Sequence, residues 1–429
     1  MRLLFSALAL CAAVLGQAAD KDYPLVEARE VTPRGGLPNF FRKAQTTGAE
    51  IKVGYLGGSI TAQNGWRVQT LAHFKQAYPQ AGFTEINAAI GGTGSDLGVF
   101  RVQQDVLSQG PDLLFVEFAV NDGGADPRRI IRAMEGIVRQ AWKANPSTDI
   151  CFVYTITEAL SPPMLEGKLQ RSASAMEKVA DHYGIPSIAL GMEVAKLAKA
   201  GQLAWRAKLP KTEAEKAALA GKFVFAADGT HPHDSTGQVL YTQAIIRSLP
   251  ALAIAQATPT PHVTGPALDP ANWERAKLAP ITAAKLSAGL ASADPATDAH
   301  AKVWSKRLPA MVKLTRPGQS LEFRFQGTHC AVYDVVGPAG GKVAVTLDGG
   351  KPFVVQRIDA YCTYPRLSTF LVGSDLPEGV HSVRLELLAD PIDKAAVLAK
   401  NKNKIDKPER FAPLEFHPGG LLLLGELVP

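Results

Sequence analysis

Ile51-Lys52-Val53-Gly54-Tyr55-Leu56-Gly57-Gly58-Ser59-Ile60-Thr61 is the stretch on which the fold turns. Its first half is a short apolar run of strand length. Two glycines follow, which let the chain turn sharply and keep the backbone open beside Ser59. Helical spacing then begins at Val68–Ala77. A strand that passes through a tight turn into a helix is the opening of an α/β unit. A serine at the start of a helix has backbone N–H groups and the positive end of the helix dipole close by. Taken alone, the turn suits a plain N-cap better than a nucleophile.

Outward from this turn the same alternation continues. Short apolar runs at Thr84–Ala88, Leu113–Phe118, Ile150–Ile156 and Pro186–Ala189 predict strands. Helical periodicity at Val99–Leu107, Arg128–Lys143, Leu165–His182 and Val239–Ile246 predicts the helices between and after them. Alternation with short connections implies a parallel sheet covered on both faces. Functional residues of such sheets collect at the carboxyl ends of the strands. Glu193–Lys222, rich in Ala and Lys, reads as a helical insertion, a candidate flap over the site. Ala251–Pro266 carries three prolines and small residues and reads as a linker. From about Trp304 the pattern changes to period two, with predicted strands at Leu321–Phe325, Ala331–Val336, Lys342–Leu347, Phe353–Ile358, Thr369–Val372 and Val380–Leu388. This predicts an all-β domain, a sandwich or jelly roll. The expected boundaries are 20–250 for the α/β domain, 251–300 for the linker and 301–429 for the β domain.

Composition narrows the class. Apolar residues make up 46% and charged residues 20% of the 429, an ordinary globular balance. The formal charge of +6 is mild, and the one dense basic run, Lys400, Lys402, Lys404 and Lys407, reads as a solvated loop. No nucleic-acid partner is expected. Arg2, the apolar run Leu3–Leu15 and the small residues Gly16, Ala18 and Ala19 predict a secretory signal over residues 1–19, cleaved after Ala18 or Ala19. Cys11 follows Leu10, not the small residue that a lipidation site wants. The expected mature protein is exported, periplasmic or extracellular, and not held at a membrane. Three cysteines remain after cleavage. Cys151 sits in a strand-like run and is expected as a free core thiol, while Cys330 and Cys362 lie in the β region and leave a disulfide open.

Three further segments carry chemistry. Asn87-Ala88-Ala89-Ile90-Gly91-Gly92-Thr93-Gly94 follows the second strand and can present backbone N–H groups to an anionic oxygen. It is not a dinucleotide loop, because Leu97 stands where the third glycine would be. Val116-Glu117-Phe118-Ala119-Val120-Asn121-Asp122 closes the third strand, where an Asn can aim its amide into the crevice or simply form a turn. In Asp228-Gly229-Thr230-His231-Pro232-His233, the carboxylate can accept the imidazole Nδ1–H across a glycine turn. A surface turn with a capped histidine is the alternative. A metal set of Asp228, His231, His233 and Asp234 lacks a second cluster of His or Cys elsewhere, so no metal is expected.

Each segment alone fits a structural role. Together and in this order, the chain resembles the SGNH (GDSL-type) hydrolases over roughly Ile51 to Leu249. Gly58 and Ile60 replace the Asp and Leu usual in the first block, and Ala119 replaces the Gly usual before the Asn. Gly-x-Ser-x-Gly, which an α/β-hydrolase would need, is broken by Thr61. The resemblance implies a three-layer α/β/α flavodoxin-like domain and a cofactor-free esterase. It implies Ser59 as nucleophile, His231 as base, Asp228 as its orienting partner, and Ser59, Gly92 and Asn121 as donors of the oxyanion hole. Trp66, Arg67 and Arg101, which follow two of the blocks, are expected as candidate substrate contacts. Tyr361-Cys362-Thr363-Tyr364-Pro365-Arg366 is expected at the cleft, at the domain interface or in a plain turn. Export, a polar loop-rich surround and a β-sandwich partner point within this superfamily to O-deacetylation of a polysaccharide or oligosaccharide, the β domain either binding glycan or only packing. Lipase, arylesterase or thioesterase activity and a silent glycan-binding role are the competing expectations.

Overall fold

A computed structural model describes residues 23–254 and 258–429 of the chain. The signal expected over residues 1–19 lies outside them. Strands β2 (Glu50–Gly57), β3 (Gly82–Asn87), β4 (Leu113–Glu117), β5 (Asp149–Tyr154) and β6 (Ser187–Ala189) run parallel in the order β6-β5-β4-β2-β3. The short β1 (Val31–Thr32) adds to the β6 edge in the antiparallel sense. Strands β4 and β5 are buried along their whole length. That is why they read as continuous apolar runs and not as alternating ones.

The covering helices are α1 (Pro38–Ala44), α2 (Ser59–Ala62), α3 (Trp66–Ala77), α4 (Ser95–Asp105), α5 (Pro127–Ala144), α6 (Pro162–Leu165), α7 (Arg171–Tyr183), α8 (Met192–Lys199), α9 (Glu213–Ala218) and α10 (Gly237–Ile254). α4, α5 and α7 pack side by side on one face of the sheet; α1, α3, α8 and α10 pack on the other. α5 has firm local reasons to form. Asp126 caps it by accepting from Arg128 N at 2.7 Å, Pro127 opens it, and Ile130, Ala133, Met134, Ile137, Val138 and Ala141 make its buried stripe. The single helix predicted over Leu165–His182 is two, because Gly167 takes a positive φ of 81° and interrupts it. The insertion is not wholly helical either, since Leu203–Arg206 (β7) and Phe223–Ala226 (β8) form a parallel pair.

The strands of the C-terminal domain all pair antiparallel: β9 (Ala276–Pro280), β10 (Lys285–Leu286), β11 (Ala291–Ser292), β12 (Val312–Lys313), β13 (Ser320–Val336), β14 (Lys342–Leu347), β15 (Phe353–Gln356), β16 (Arg366–Gly373), β17 (Gly379–Leu387) and β18 (His417–Val428). Two expectations need correction. The strands predicted at Leu321–Phe325 and Ala331–Val336 are one long strand, β13, with a bulge between Gly327 and His329. There the backbones close in: a Cβ on Gly327 would lie 2.1 Å from Leu424 O, and one on Gly425 would lie 2.0 Å from Gln326 O. The expected linker over 251–300 also fails from Ala276 onward, where β9 pairs with β18 and joins the sheet.

The two domains share a core. Ala331, Tyr333, Val335 and Leu422 of the β domain, with Leu308 and Met311, belong to the same buried cluster as the α/β sheet. Trp273 lies with its ring 5.7 Å from Phe100 of α4 and 5.6 Å from His329 of β13. Cys151, Cys330 and Cys362 are free and buried, and the last two sit in different apolar clusters, so the open disulfide is not formed.

Candidate active site

Register places the chemistry at one edge of the sheet. Gly57 at the end of β2 is level with Glu117 at the end of β4, and Tyr55 is level with Asn87 of β3. The residues that follow these three strand ends therefore emerge side by side. Ser59 opens α2, and a Cβ on Gly91 would lie 3.5 Å from the Ser59 Cβ. Gly92 next to it takes a φ of +74°, a conformation that glycine alone adopts freely.

The Asn121 amide packs directly against the serine turn. A Cβ at Gly58 would fall 1.8 Å from Asn121 Oδ1, so the amide stands where a side chain of residue 58 would begin. Ser59, the glycine loop and Asn121 thus surround one point.

The Asp228–His231 turn arrives from the far end of the domain. His231 Nδ1 lies 2.7 Å from Asp228 Oδ2, and His231 Nε2 lies 2.9 Å from Ser59 Oγ. A carboxylate can only accept, so Nδ1 carries the hydrogen and Nε2 is free to accept from the serine hydroxyl. Asp228 Oδ1 takes N–H groups from Thr230 and His231 at 2.9 and 2.8 Å. Partial burial would raise the Asp228 pKa, but these hydrogen bonds from the His231 ring and the two backbone N–H groups outweigh it and hold the carboxyl at about 2. Gly229 turns with a φ of +77°. The His231 and Asp228 side chains are 42% and 54% exposed, so the site opens to solvent on the histidine side.

Several supports escaped sequence reasoning. Glu117, buried beneath the serine turn, accepts from Thr61 Oγ1 at 2.8 Å and Thr155 Oγ1 at 2.6 Å, and also from the N–H of Gly58. Burial pushes its pKa up while these hydrogen bonds oppose the shift. One signal for it was available: a lone acid in the apolar run Leu113–Phe118. Gln238, fully buried, donates to Ile60 O at 3.2 Å and accepts from Trp66 N at 3.0 Å, fixing α2 to α3. Asp122 accepts from Ser95 N at 3.0 Å and ties the Asn121 segment to the loop that carries Gly92.

The three residues expected to touch substrate do not reach solvent. Trp66, Arg67 and Arg101 are 0%, 3% and 1% exposed. Trp66 packs on Tyr55 and Phe115; Arg67 donates to Thr61 O and Glu85; Arg101 bonds Ala88 O, Asp105 and Gly57 O. They brace the loops from behind, because their helices turn these positions inward. Tyr361 and Tyr364 are exposed, while Pro365 O accepts from Trp304 Nε1 at 3.0 Å.

His233 is not available to a metal set with His231, since its Nε2 lies 2.9 Å from Ala207 O. Among the described residues Asp298, His300 and His417 could converge on an ion. The Lys313 ammonium already occupies that carboxylate, 3.0 Å from Asp298 Oδ2, and also pairs with Glu415. The donor set therefore reads as a satisfied ion network, not a cation site.

Residues 55–235 match the model of the GDSL-like lipase/acylhydrolase family. The match lies within the N-terminal α/β domain and spans less than half of the chain. A two-domain esterase (CEX) active on acetylated mannans, co-crystallised with mannopentaose, is similar in fold over 95% of this chain and 100% of its own, with a TM-score of 0.70 and 18% identity. A second structure of a two-domain esterase (CEX) active on acetylated mannans aligns over 92% of this chain and 98% of its own, with a TM-score of 0.71 and 20% identity. No curated protein matches the sequence.

Proposed function

We propose that the protein is an exported serine esterase that removes acyl groups, acetyl above all, from carbohydrate. In this reading Ser59 Oγ attacks the ester carbonyl while His231 Nε2 takes its proton. The N–H groups of Ser59 and Gly92 and the amide of Asn121 hold the tetrahedral oxyanion. His231 returns the proton to the leaving sugar oxygen, and the acyl group stays on Ser59. A water, deprotonated by the same imidazole, then releases the acid. Asp228 keeps the imidazole in the required tautomer and stabilises the imidazolium in between. No step calls for a metal or organic cofactor.

The observation that carries this reading is the continuous link from Asp228 through His231 to Ser59, at 2.7 and 2.9 Å. The substrate class is supported by the fold shared with the mannan-active two-domain esterases and by the solvent-open histidine side, which has room for a bulky polar alcohol. Export is supported by the leader-like residues 1–19, and no described helix is long and apolar enough to cross a membrane. Acetate release from acetylated mannan, with Ser59→Ala as control, tests the whole. Loss of turnover by at least about 1000-fold in the variant is expected. Equal release by parent and variant would remove Ser59 from the reaction.

A further inference from the structure

The turn that carries Asp228 and His231 leans on the insertion. His233 N donates to Phe225 O at 2.9 Å, and Ala226 of β8 bridges to Pro232. Arg206 ends the partner strand β7 and lies against the same turn. A Cβ on Gly229 would fall 3.0 Å from Arg206 Nε and 2.8 Å from Glu158 Oε2. Arg206 Nε donates to Glu158 Oε2, and Glu158 N donates to Gly229 O at 2.9 Å.

This ion pair has no evident structural purpose. Its side chains are 63% and 36% exposed, and surface pairs of that kind contribute only about 0–1 kcal/mol. Among the described residues, the two terminal nitrogens of Arg206 and the second oxygen of Glu158 have no hydrogen-bond partner. Donors and an acceptor are thus held side by side, one residue from Asp228, facing solvent. A pair of neighbouring sugar hydroxyls, each able to give and take a hydrogen bond, fits such a set.

Position decides which part of the substrate would meet it. The leaving oxygen must face His231 Nε2 to receive its proton, so the alcohol extends toward the Asp228–His231 turn. The oxyanion donors lie around Gly91–Gly92 and Asn121, on the other segments that ring Ser59. We infer that Glu158 and Arg206 form the subsite for hydroxyls of the sugar that bears the ester. The inference rests on the carbohydrate-esterase reading above and adds to it the residues that select the sugar.

The test compares parent, Arg206→Ala and Glu158→Gln on acetylated mannooligosaccharides and on p-nitrophenyl acetate, which has no sugar to hold. The expected result is a KM for the oligosaccharides raised about 10- to 100-fold, the loss typical of hydrogen bonds to charged groups. Turnover of p-nitrophenyl acetate and its pH profile should stay within about twofold, as no transition-state contact is removed. An equal loss on both substrates would overturn the inference, because the pair would then only brace Asp228. An unchanged oligosaccharide KM would overturn it as well. Calorimetric titration of Ser59→Ala with the same oligosaccharides separates the two levels. Binding that disappears when Arg206→Ala is added supports the subsite. No binding in Ser59→Ala itself defeats the carbohydrate reading, and the subsite with it.

Discussion

At the scale of single residues, two carboxylates near Ser59 have opposite electrostatics. Asp228, held at about 2 by its three hydrogen bonds against partial burial, stays ionised at any ordinary assay pH. The acid limb of the pH–rate profile therefore does not report protonation of Asp228. Asp228→Asn preserves the shape but presents an amide to Nδ1 and disfavours the working tautomer. A kcat lower by about 10,000-fold with little change in KM is expected from p-nitrophenyl acetate kinetics. On the proposed mechanism, which makes Asn121 one of the oxyanion donors, Asn121→Ala should cost about 100- to 1000-fold in kcat in the same assay. Asp122, 3% exposed, goes the other way: burial, despite the hydrogen bonds at Ser95, raises it to about 7. The sign follows from linkage. The folded chain keeps a proton that the unfolded chain releases near 3.8, so the stability tied to it is complete at low pH and lost as pH climbs through about 7. Asp122→Asn retains the acceptor for Ser95 N and removes the titration. Thermal melts from pH 4 to 8 should show the variant gaining on the parent as pH rises, and a pH-independent difference would refute the assignment.

At the scale of elements, the sequence made legible what is local and hid what depends on facing. Asp228 and His231 are close in the chain and share a glycine turn, so their pairing could be read directly. The meeting of Ser59, Gly91–Gly92 and Asn121 could be read because strand ends in a parallel sheet lie at one edge. Trp66, Arg67 and Arg101 were misjudged because position after a block says nothing about which side of a helix points inward. β9 was missed because Ala276-Lys277-Leu278-Ala279-Pro280 has the small residues and proline of a linker, and only its pairing with β18 makes it a strand. Arg101 offers the sharpest check on the corrected view. It neutralises Asp105 at 2.9 Å and holds the glycine loop through Ala88 O. Arg101→Ala should destabilise the protein by about 3–5 kcal/mol in denaturant titrations, the usual cost of breaking a buried pair. Arg307 also reaches Asp105, at 3.2 Å, which favours the lower end of that range. A substrate contact would instead raise KM and leave stability untouched.

At the scale of the molecule, the β domain is bound into the structure that holds the reacting groups. α4 carries the glycine loop at its N-terminal end and Phe100 and Arg101 on its inner side, and the β domain closes over that helix. Phe100 faces His329 at 5.6 Å, and Arg307 donates to Asn87 O at 3.1 Å, directly beneath the loop. Trp273 fills the seam at 7% exposure, with the Arg129 guanidinium 5.3 Å from its ring. A linker followed by an independent module would let the halves melt separately. A shared apolar cluster predicts the opposite, because neither half can bury its side of the seam alone. Calorimetry of the whole chain should therefore give one transition. Trp273→Ala should lower it by the equivalent of about 3–5 kcal/mol, the penalty of emptying a buried tryptophan site. Two resolved transitions, with the α/β half unmoved by Trp273→Ala, would mean that the β domain rides on the α/β domain without supporting it.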